Sequence, residues 1–193
     1  LNTPKYTWGV QDLAKARALL RLVRELEDAT FQVYLQPRAG LDYFSPDLDK
    51  AKTQLAAVTA LMDDIEPDNA LSPDIIHVVS YSEASHLADP EVIDESVKIT
   101  NAALLEYRRL RAAGKVEHMG HNADMLARTT ALYDDARTLI HAIETSVPDC
   151  YSPKGLYLVF AAGFFATPYL WEGTEEFKYA VQWRTALKDG GIK

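Results

Sequence analysis

The sequence predicts an α/β fold in which parallel strands alternate with helices. Residues 75–79, Ile-Ile-His-Val-Val, form a nearly continuous apolar run, which is typical of a strand buried on both faces of a parallel sheet. Phe31–Gln36 has the β-branched and aromatic composition of a second strand. Each run is followed by a polar loop and then a helix. This repeated order predicts two βα units within residues 31–113.

Helix start signals follow both predicted strands. The Ser-Pro-Asp sequence at residues 45–47 offers a cap and a first-turn proline for a helix that continues to about Ile65. Asp89 and Pro90 similarly open a helix that continues to about Ala113 and stops at Gly114. The predicted inner face of this second helix carries Ile93, Val97, Thr100, Leu104 and Tyr107.

Further helices are predicted on either side of these units. Apolar spacing indicates amphipathic helices over Gln11–Glu27 and Ala123–Val147. Gly155–Ala166 is apolar all round and predicts a short buried helix, with a strand at Leu156–Phe160 as the alternative. The aromatic residues from Tyr169 to Trp183 predict a docked C-terminal segment, with a binding surface as the alternative.

Two doubly buried parallel strands cannot cover their own edges. Such sheets occur with more strands and with helices on both faces, so the sheet must be completed elsewhere. Residues outside the chain are favoured over a third strand at 156–160. We therefore predict the C-terminal portion of a TIM-like (β/α)8 barrel: two parallel strands with a crossover helix, then a helical tail over 123–193. The 193 residues would be a single α/β unit cut from a longer polypeptide.

Composition and charge exclude several kinds of partner. A net charge of -8 argues against a nucleic-acid backbone, which needs a basic face. No segment reaches the roughly 20 apolar residues of a membrane helix. The only cysteine, Cys150, excludes a disulfide within the chain, fits a reducing cytoplasmic location, and lacks any motif that would activate its thiol.

Polar residues follow each predicted strand, where α/β proteins bind ligands. Tyr81, Ser82 and Glu83 come directly after the second strand, and Glu83 can accept hydrogen bonds from ligand hydroxyls or act as an acid or base. Arg38 follows the first strand, and its planar guanidinium suits a carboxylate or phosphate. The alternatives are a loop-tethering role for Glu83 and a structural or solvent-facing ion pair for Arg38.

The histidines predict no metal site. His77 lies inside the second strand, where a lone histidine is more often a hydrogen-bonded core residue than a ligand. His118, His121 and Asp124 have ligand-like spacing, but no cysteine or fourth ligand is nearby. The role of His118 and His121 is left open.

Three successive features resemble one enzyme family. The first is a strand, the loop Gln36–Phe44 and the Ser-Pro-Asp helix start. The second is VVSYSEA at Val78–Ala84, then a Pro-Glu helix start and IDESVKITNAAL at Ile93–Leu104. The third is the long helix from Ala123, followed by an apolar segment that runs into Ala166–Tyr169. This succession is similar to the C-terminal part of the catalytic (epsilon) subunit of glutamate mutase, also called methylaspartate mutase.

The resemblance implies an isomerase: a TIM barrel that uses adenosylcobalamin for a carbon-skeleton radical rearrangement. Glu83 and Ala84 match a Glu-Ala pair whose glutamate helps to hold the adenosyl ribose, and Tyr81 and Ser82 lie beside it. Val79 stands where the family has a lysine. The family's substrate-clamping arginines lie in earlier strands that this chain does not contain, so the substrate is left open and the reaction could be a different cobalamin-dependent rearrangement. Arg38, from its position after the first strand, is the candidate for binding a small carboxylate substrate.

This interpretation requires partners and has two rivals. The partners would be the remaining barrel polypeptide and a cobalamin-binding subunit. The first rival is a non-catalytic α/β or helical interaction subunit whose exposed sheet edge and aromatic tail bind a protein partner. The second is a stand-alone barrel-like enzyme with a small anionic substrate at Arg38.

Overall fold

The fold is helical, as a computed structural model of the chain shows. The structure describes residues 9–167, 170–183, 186–188 and 191–192. Short 3-10 turns cover Leu41–Tyr43 and Met119–His121, and a two-residue antiparallel pair joins β1 (Leu187–Lys188) to β2 (Gly191–Ile192). The helices are α1 (Gly9–Arg24), α2 (Leu48–Asp63), α3 (Pro90–Ala112), α4 (Ala123–Ser146), α5 (Pro153–Ala161) and α6 (Lys178–Val181).

The predicted barrel with parallel strands is wrong. Neither 31–36 nor 75–79 is a strand, and residues 156–160 lie within α5. Outside β1 and β2, the described residues contain one isolated parallel bridge, between Arg38 and His77. The physical reason is exposure: Phe31 is 44% and Ile75 49% exposed, so these apolar runs are not buried on both faces.

The predicted cap of α3 is confirmed, whereas α2 begins two residues later than predicted, with Asp47 and not Ser45 as its cap. The Asp47 carboxylate accepts hydrogen bonds from the first-turn amides of α2. The Asp89 carboxylate accepts one from the Val92 amide at 2.8 Å, with Pro90 in the first turn of α3. Gly114, at φ 65°, ends α3 in the left-handed conformation that glycine tolerates best.

The inner face of α3 differs from the predicted one. Thr100 is buried as expected, but Ile93 and Val97 are 50% and 41% exposed. Ser96 is buried in their place, and its hydroxyl donates to the Val92 carbonyl at 2.7 Å. The buried face of α3 therefore combines the small polar side chains of Ser96 and Thr100 with Val92 and Ile99, which pack against the apolar cluster along α2, while Ile93 and Val97 are exposed.

Two compact units divide the chain between Tyr133 and Asp134. The first unit contains two apolar clusters. One lies along α2 and includes Val79 and Tyr81 from the segment before α3. The other lies along α1 and includes Leu35 and Met125. Among its described residues, the second unit has one cluster, formed by Ile143, Val147, Cys150 and Val159.

A buried ion-pair network joins the end of α2 to α3. Asp63 and Asp64 are 1% and 4% exposed. The Arg111 guanidinium lies 2.8 Å from the Asp63 carboxylate and 3.0 Å from the Asp64 carboxylate. Arg108 donates to Asp63 at 2.8 Å, and the Tyr107 hydroxyl donates to Asp64. Burial raises the pKa of Asp64 despite these partners, and burial also raises the pKa of Tyr107.

The described part of the tail packs against α5 and the residues that follow it, for example through the hydrogen bond from the Thr167 amide to the Ala180 carbonyl at 3.0 Å and the edge-to-face contact of the Tyr157 and Phe177 rings. The Trp183 indole donates to the Gly163 carbonyl at 2.8 Å, whereas Trp171 is 87% exposed. Tyr169, the first residue of the predicted segment, and Pro168 lie outside the described residues. Among the described helices, none is both long and apolar enough to cross a bilayer.

Candidate functional site

Two extended segments, residues 31–38 and 74–80, lie side by side and are here called the paired segments. The Ile75 amide donates to the Leu35 carbonyl and the His77 amide to the Pro37 carbonyl, both at 3.2 Å. The Asp74 carboxylate accepts the Leu35 amide at 2.7 Å. The segments run in parallel, so the ends that lead to Arg38 and to residue 80 point in the same direction.

The Glu83 loop, residues 80–87, follows the second paired segment. The Ser82 carbonyl accepts the Ser85 amide at 2.9 Å and the His86 amide at 2.7 Å. The Glu83 amide donates to the Ser80 carbonyl at 3.2 Å. The Ser80 and Ser82 hydroxyls lie 3.2 Å apart. These local hydrogen bonds fix the loop in a tight turn.

Tyr81 attaches this loop to α2 and α3. Its ring is 3% exposed within the α2 cluster, and its hydroxyl donates to the Glu95 carboxylate. The Lys52 ammonium lies 2.7 Å from Glu95 and 5.1 Å from the centre of the Tyr81 ring. The hydrogen bond from Lys52 lowers the pKa of Glu95, and the hydrogen bond to Glu95 raises the pKa of Tyr81.

The Glu95 contacts predict a pH dependence of stability. A carboxylate whose pKa is lowered by folding adds stability above its unfolded pKa, about 4.3, and loses it as the pH falls through the folded value. Acidification from pH 7 to pH 3 should therefore cost the wild type more unfolding free energy than it costs Glu95→Gln, as measured by urea denaturation. Glu83→Gln is the control, because Glu83 is an exposed carboxylate of the neighbouring loop. Equal losses of unfolding free energy in wild type and Glu95→Gln would contradict a stabilising role for the Glu95 carboxylate.

The structure separates the predicted site residues. Glu83 is exposed, whereas Tyr81 and Ser82 are 3% and 1% exposed. Arg38 is half-buried, and its Nε donates to the Ala39 carbonyl at 3.4 Å. Of these four residues, Glu83 is the one whose side chain is fully open to a ligand, while the buried Tyr81 and Ser82 support the loop.

Further polar groups lie beside Glu83. Ser85 and His86 are exposed, and the Ser85 hydroxyl lies 2.8 Å from His86 Nδ1. His77 is also exposed rather than in the core, with its Nδ1 3.3 Å from the Gln36 amide nitrogen. The prediction of His77 as a core residue was wrong, because the second paired segment has an open face.

Sequence reasoning missed the partner of His118 and His121. These histidines lie with Asp68, which follows α2, and Asp124 is not part of the group. Asp68 lies 50 residues before His118, so no local spacing could connect them.

The arginine network at the end of α2 did have a signal in the sequence. Asp63 and Asp64 are adjacent acids in an otherwise apolar helical stretch, and acids that become buried there need charged partners.

Comparisons with known proteins add no relative. No protein-family model matches the chain, and it has no match among curated proteins or solved structures.

Proposed function

We propose that this chain is one component of a cytoplasmic, adenosylcobalamin-dependent carbon-skeleton mutase similar to glutamate mutase. The observation that carries the proposal is the exposure of Glu83 on a loop held by buried neighbours. Glu83 is the residue that the motif Val78–Ala84 aligns with the glutamate at the adenosyl ribose. An immobilised, solvent-facing carboxylate is suited to accept hydrogen bonds from a pair of hydroxyls.

The residues present fit the adenosyl group in part. Glu83 is free to accept ribose hydroxyls, since no described side chain pairs with it. Tyr81 and Ser82 are buried, so they would hold the loop and not touch the cofactor. Val79, which stands in place of the family's lysine, is 2% exposed in the apolar cluster and offers no charge. The proposed contact is therefore one carboxylate to the ribose.

The chemistry divides between cofactor and protein. When bound, the cofactor supplies homolysis of its cobalt–carbon bond. Glu83 would orient the ribose, and the network of Tyr81, Glu95 and Lys52 would keep the loop in place. Arg38 would bind the carboxylate of a small substrate through its guanidinium.

Exclusion of water requires additional polypeptide. Glu83 through Leu87 are exposed, and Leu87 is 92% exposed, whereas radical intermediates need a dry site. The amides of Ile76 and Val78 make no hydrogen bond within the described residues and can pair with another chain. We therefore include in the proposal a further polypeptide along the paired segments and a cobalamin-binding partner over the loop.

The ribose contact can be tested with 5′-deoxyadenosine, the part of the cofactor that Glu83 would hold. Wild type should bind it, and Glu83→Gln should weaken binding about tenfold, because a hydrogen bond to a charged acceptor contributes roughly 1.5–3 kcal/mol. Saturation-transfer NMR and isothermal titration on the full chain measure the affinity. Glu91→Gln, an exposed glutamate in the first turn of α3, is the matched control. No binding by wild type, or equal binding by Glu83→Gln, would contradict the proposal.

A second candidate function is a non-catalytic interaction subunit. The specific observation is the pair Ile93 and Val97, which lie one turn apart on α3 and are 50% and 41% exposed, with Leu105, 71% exposed, further along the helix. Exposed apolar side chains on one helix suit a protein partner. Absence of 5′-deoxyadenosine binding in a well-folded monomer would favour this candidate.

A further inference from the structure

Asp68, His118 and His121 come together in the first unit. Asp68 lies in the loop after α2, His118 immediately precedes the 3-10 turn Met119–His121 between α3 and α4, and His121 is the last residue of that turn. One ligand atom from each of the three side chains lies within 4.8 Å of the other two. This cluster is separate from the Glu83 loop, and the inference does not depend on the proposed mutase function.

The spacing of these atoms matches metal coordination. His118 Nε2 lies 3.4 Å from Asp68 Oδ1. Around a tetrahedral Zn²⁺ with ligand bonds of about 2.0–2.2 Å, neighbouring ligand atoms are about 3.4 Å apart. The His118 and His121 rings stack with centroids 4.4 Å apart and an angle of 13° between them. The ligand atom of His121 lies within 4.8 Å of those of Asp68 and His118.

Gly120 makes the approach of these side chains possible. A Cβ at this position would lie 2.6 Å from Asp68 Oδ2, 2.9 Å from His118 Cε1 and 3.0 Å from His118 Nδ1. Any side chain at 120 would therefore displace two of the three groups. Position 120 requires glycine because there is no room for a side chain, and not because of its backbone conformation, since Gly120 does not have a positive φ.

The fold itself makes little use of the His118 ring. His118 Nδ1 is buried and has no hydrogen-bond partner within the described residues. Asp68 has His118 as its ion-pair partner, at a distance too long for a strong hydrogen bond. The nearby Arg108 and Arg111 are engaged by Asp63 and Asp64, so their charges are largely compensated. A purely structural histidine would be better satisfied than this one.

We propose that Asp68, His118 and His121 form a binding site for a divalent transition metal ion, with Zn²⁺ as the expected occupant. Two imidazoles and one carboxylate suit Zn²⁺, and three protein ligands leave a fourth position for water or another ligand. His121 is exposed and the Asp68 side chain is 67% exposed, so an ion can enter from solvent.

The test is titration of the full, metal-stripped chain with Zn²⁺ by calorimetry and with Co²⁺ by visible absorption. We expect one ion per chain and the intense bands of four-coordinate Co²⁺. His121→Ala and Asp68→Asn should each weaken binding by about tenfold or more, because each variant removes one of the three ligand groups. Both residues are exposed, so both variants should keep the circular dichroism of the wild type.

His141→Ala is the matched control, because His141 is an exposed histidine of α4 outside the cluster. Its affinity should equal that of wild type. Gly120→Ala should weaken Zn²⁺ binding through the contacts with Asp68 and His118. The proposal is overturned if wild type binds no ion, or if His121→Ala and Asp68→Asn bind Zn²⁺ as tightly as His141→Ala.

Discussion

Arg111→Met is expected to lower the free energy of unfolding of the first unit by about 3–5 kcal/mol, the usual cost of leaving a buried charge without its partner. The Arg111 side chain is 10% exposed and contacts two carboxylates that are themselves buried. Methionine fills similar space but removes the positive charge from beside Asp63 and Asp64. Arg108 remains as a partner of Asp63, whereas Asp64 keeps only the Tyr107 hydroxyl on its carboxylate. Urea denaturation followed by circular dichroism measures the change.

Arg109→Ala is the control for this loss. Arg109 lies two residues earlier on α3 and pairs with Glu106 on the surface, where both side chains are more than half exposed. Exposed pairs contribute about 0–1 kcal/mol, so this variant should unfold almost as the wild type does. Similar small losses in Arg111→Met and Arg109→Ala would show that the network does not hold α2 against α3.

Leu55→Ala should have the next largest effect, a loss of about 2–5 kcal/mol. Leu55 is 2% exposed and lies in the α2 cluster with Val79 and Tyr81, directly beneath the Glu83 loop. Truncation removes apolar contacts and leaves a cavity that helical neighbours cannot fully close. The same variant should loosen Tyr81 and thereby the loop, which amide hydrogen exchange of residues 80–87 can report.

Leu105→Ala is the matched truncation at the surface. Leu105 is 71% exposed on α3, so its loss should change stability by less than about 0.5 kcal/mol. If Leu55→Ala destabilises no more than Leu105→Ala, the α2 cluster is not the core of the first unit.

Local signals predicted helix ends well. Asp89 and Gly114 act through hydrogen bonds and backbone angles within a few residues, which are properties of the local sequence, whereas the cap of α2 is Asp47 and not the predicted Ser45. The predicted parallel strands are not formed, and the paired segments share one parallel bridge, between Arg38 and His77.

Burial was harder to predict than helix ends. Residues 75–79 have the composition of a doubly buried strand, yet Val79 is 2% and Ile75 49% exposed. Which face is covered depends on neighbours that are distant in sequence, and composition cannot supply them. The same limit explains α3, where Ser96 faces the core and Ile93 faces out.

The candidate sites show the same contrast between local features, which the sequence predicts, and long-range contacts, which it does not. Glu83 was identified by its position after an extended segment, and its exposure is a property of the local turn. The contacts of Tyr81 with Glu95 and of His118 with Asp68 join residues from separate elements. Only the packing of α2, α3 and the turn before α4 brings these partners together.

The central claim is that the Glu83 carboxylate receives the hydroxyls of an adenosyl ribose. The most direct measurement is a thermodynamic cycle of four affinities. Wild type and Glu83→Gln are each titrated with 5′-deoxyadenosine and with 2′,3′,5′-trideoxyadenosine, which lacks both ribose hydroxyls. We expect wild type to prefer the hydroxylated ligand by about tenfold and Glu83→Gln to show almost no preference. An equal preference in both proteins would contradict the claim.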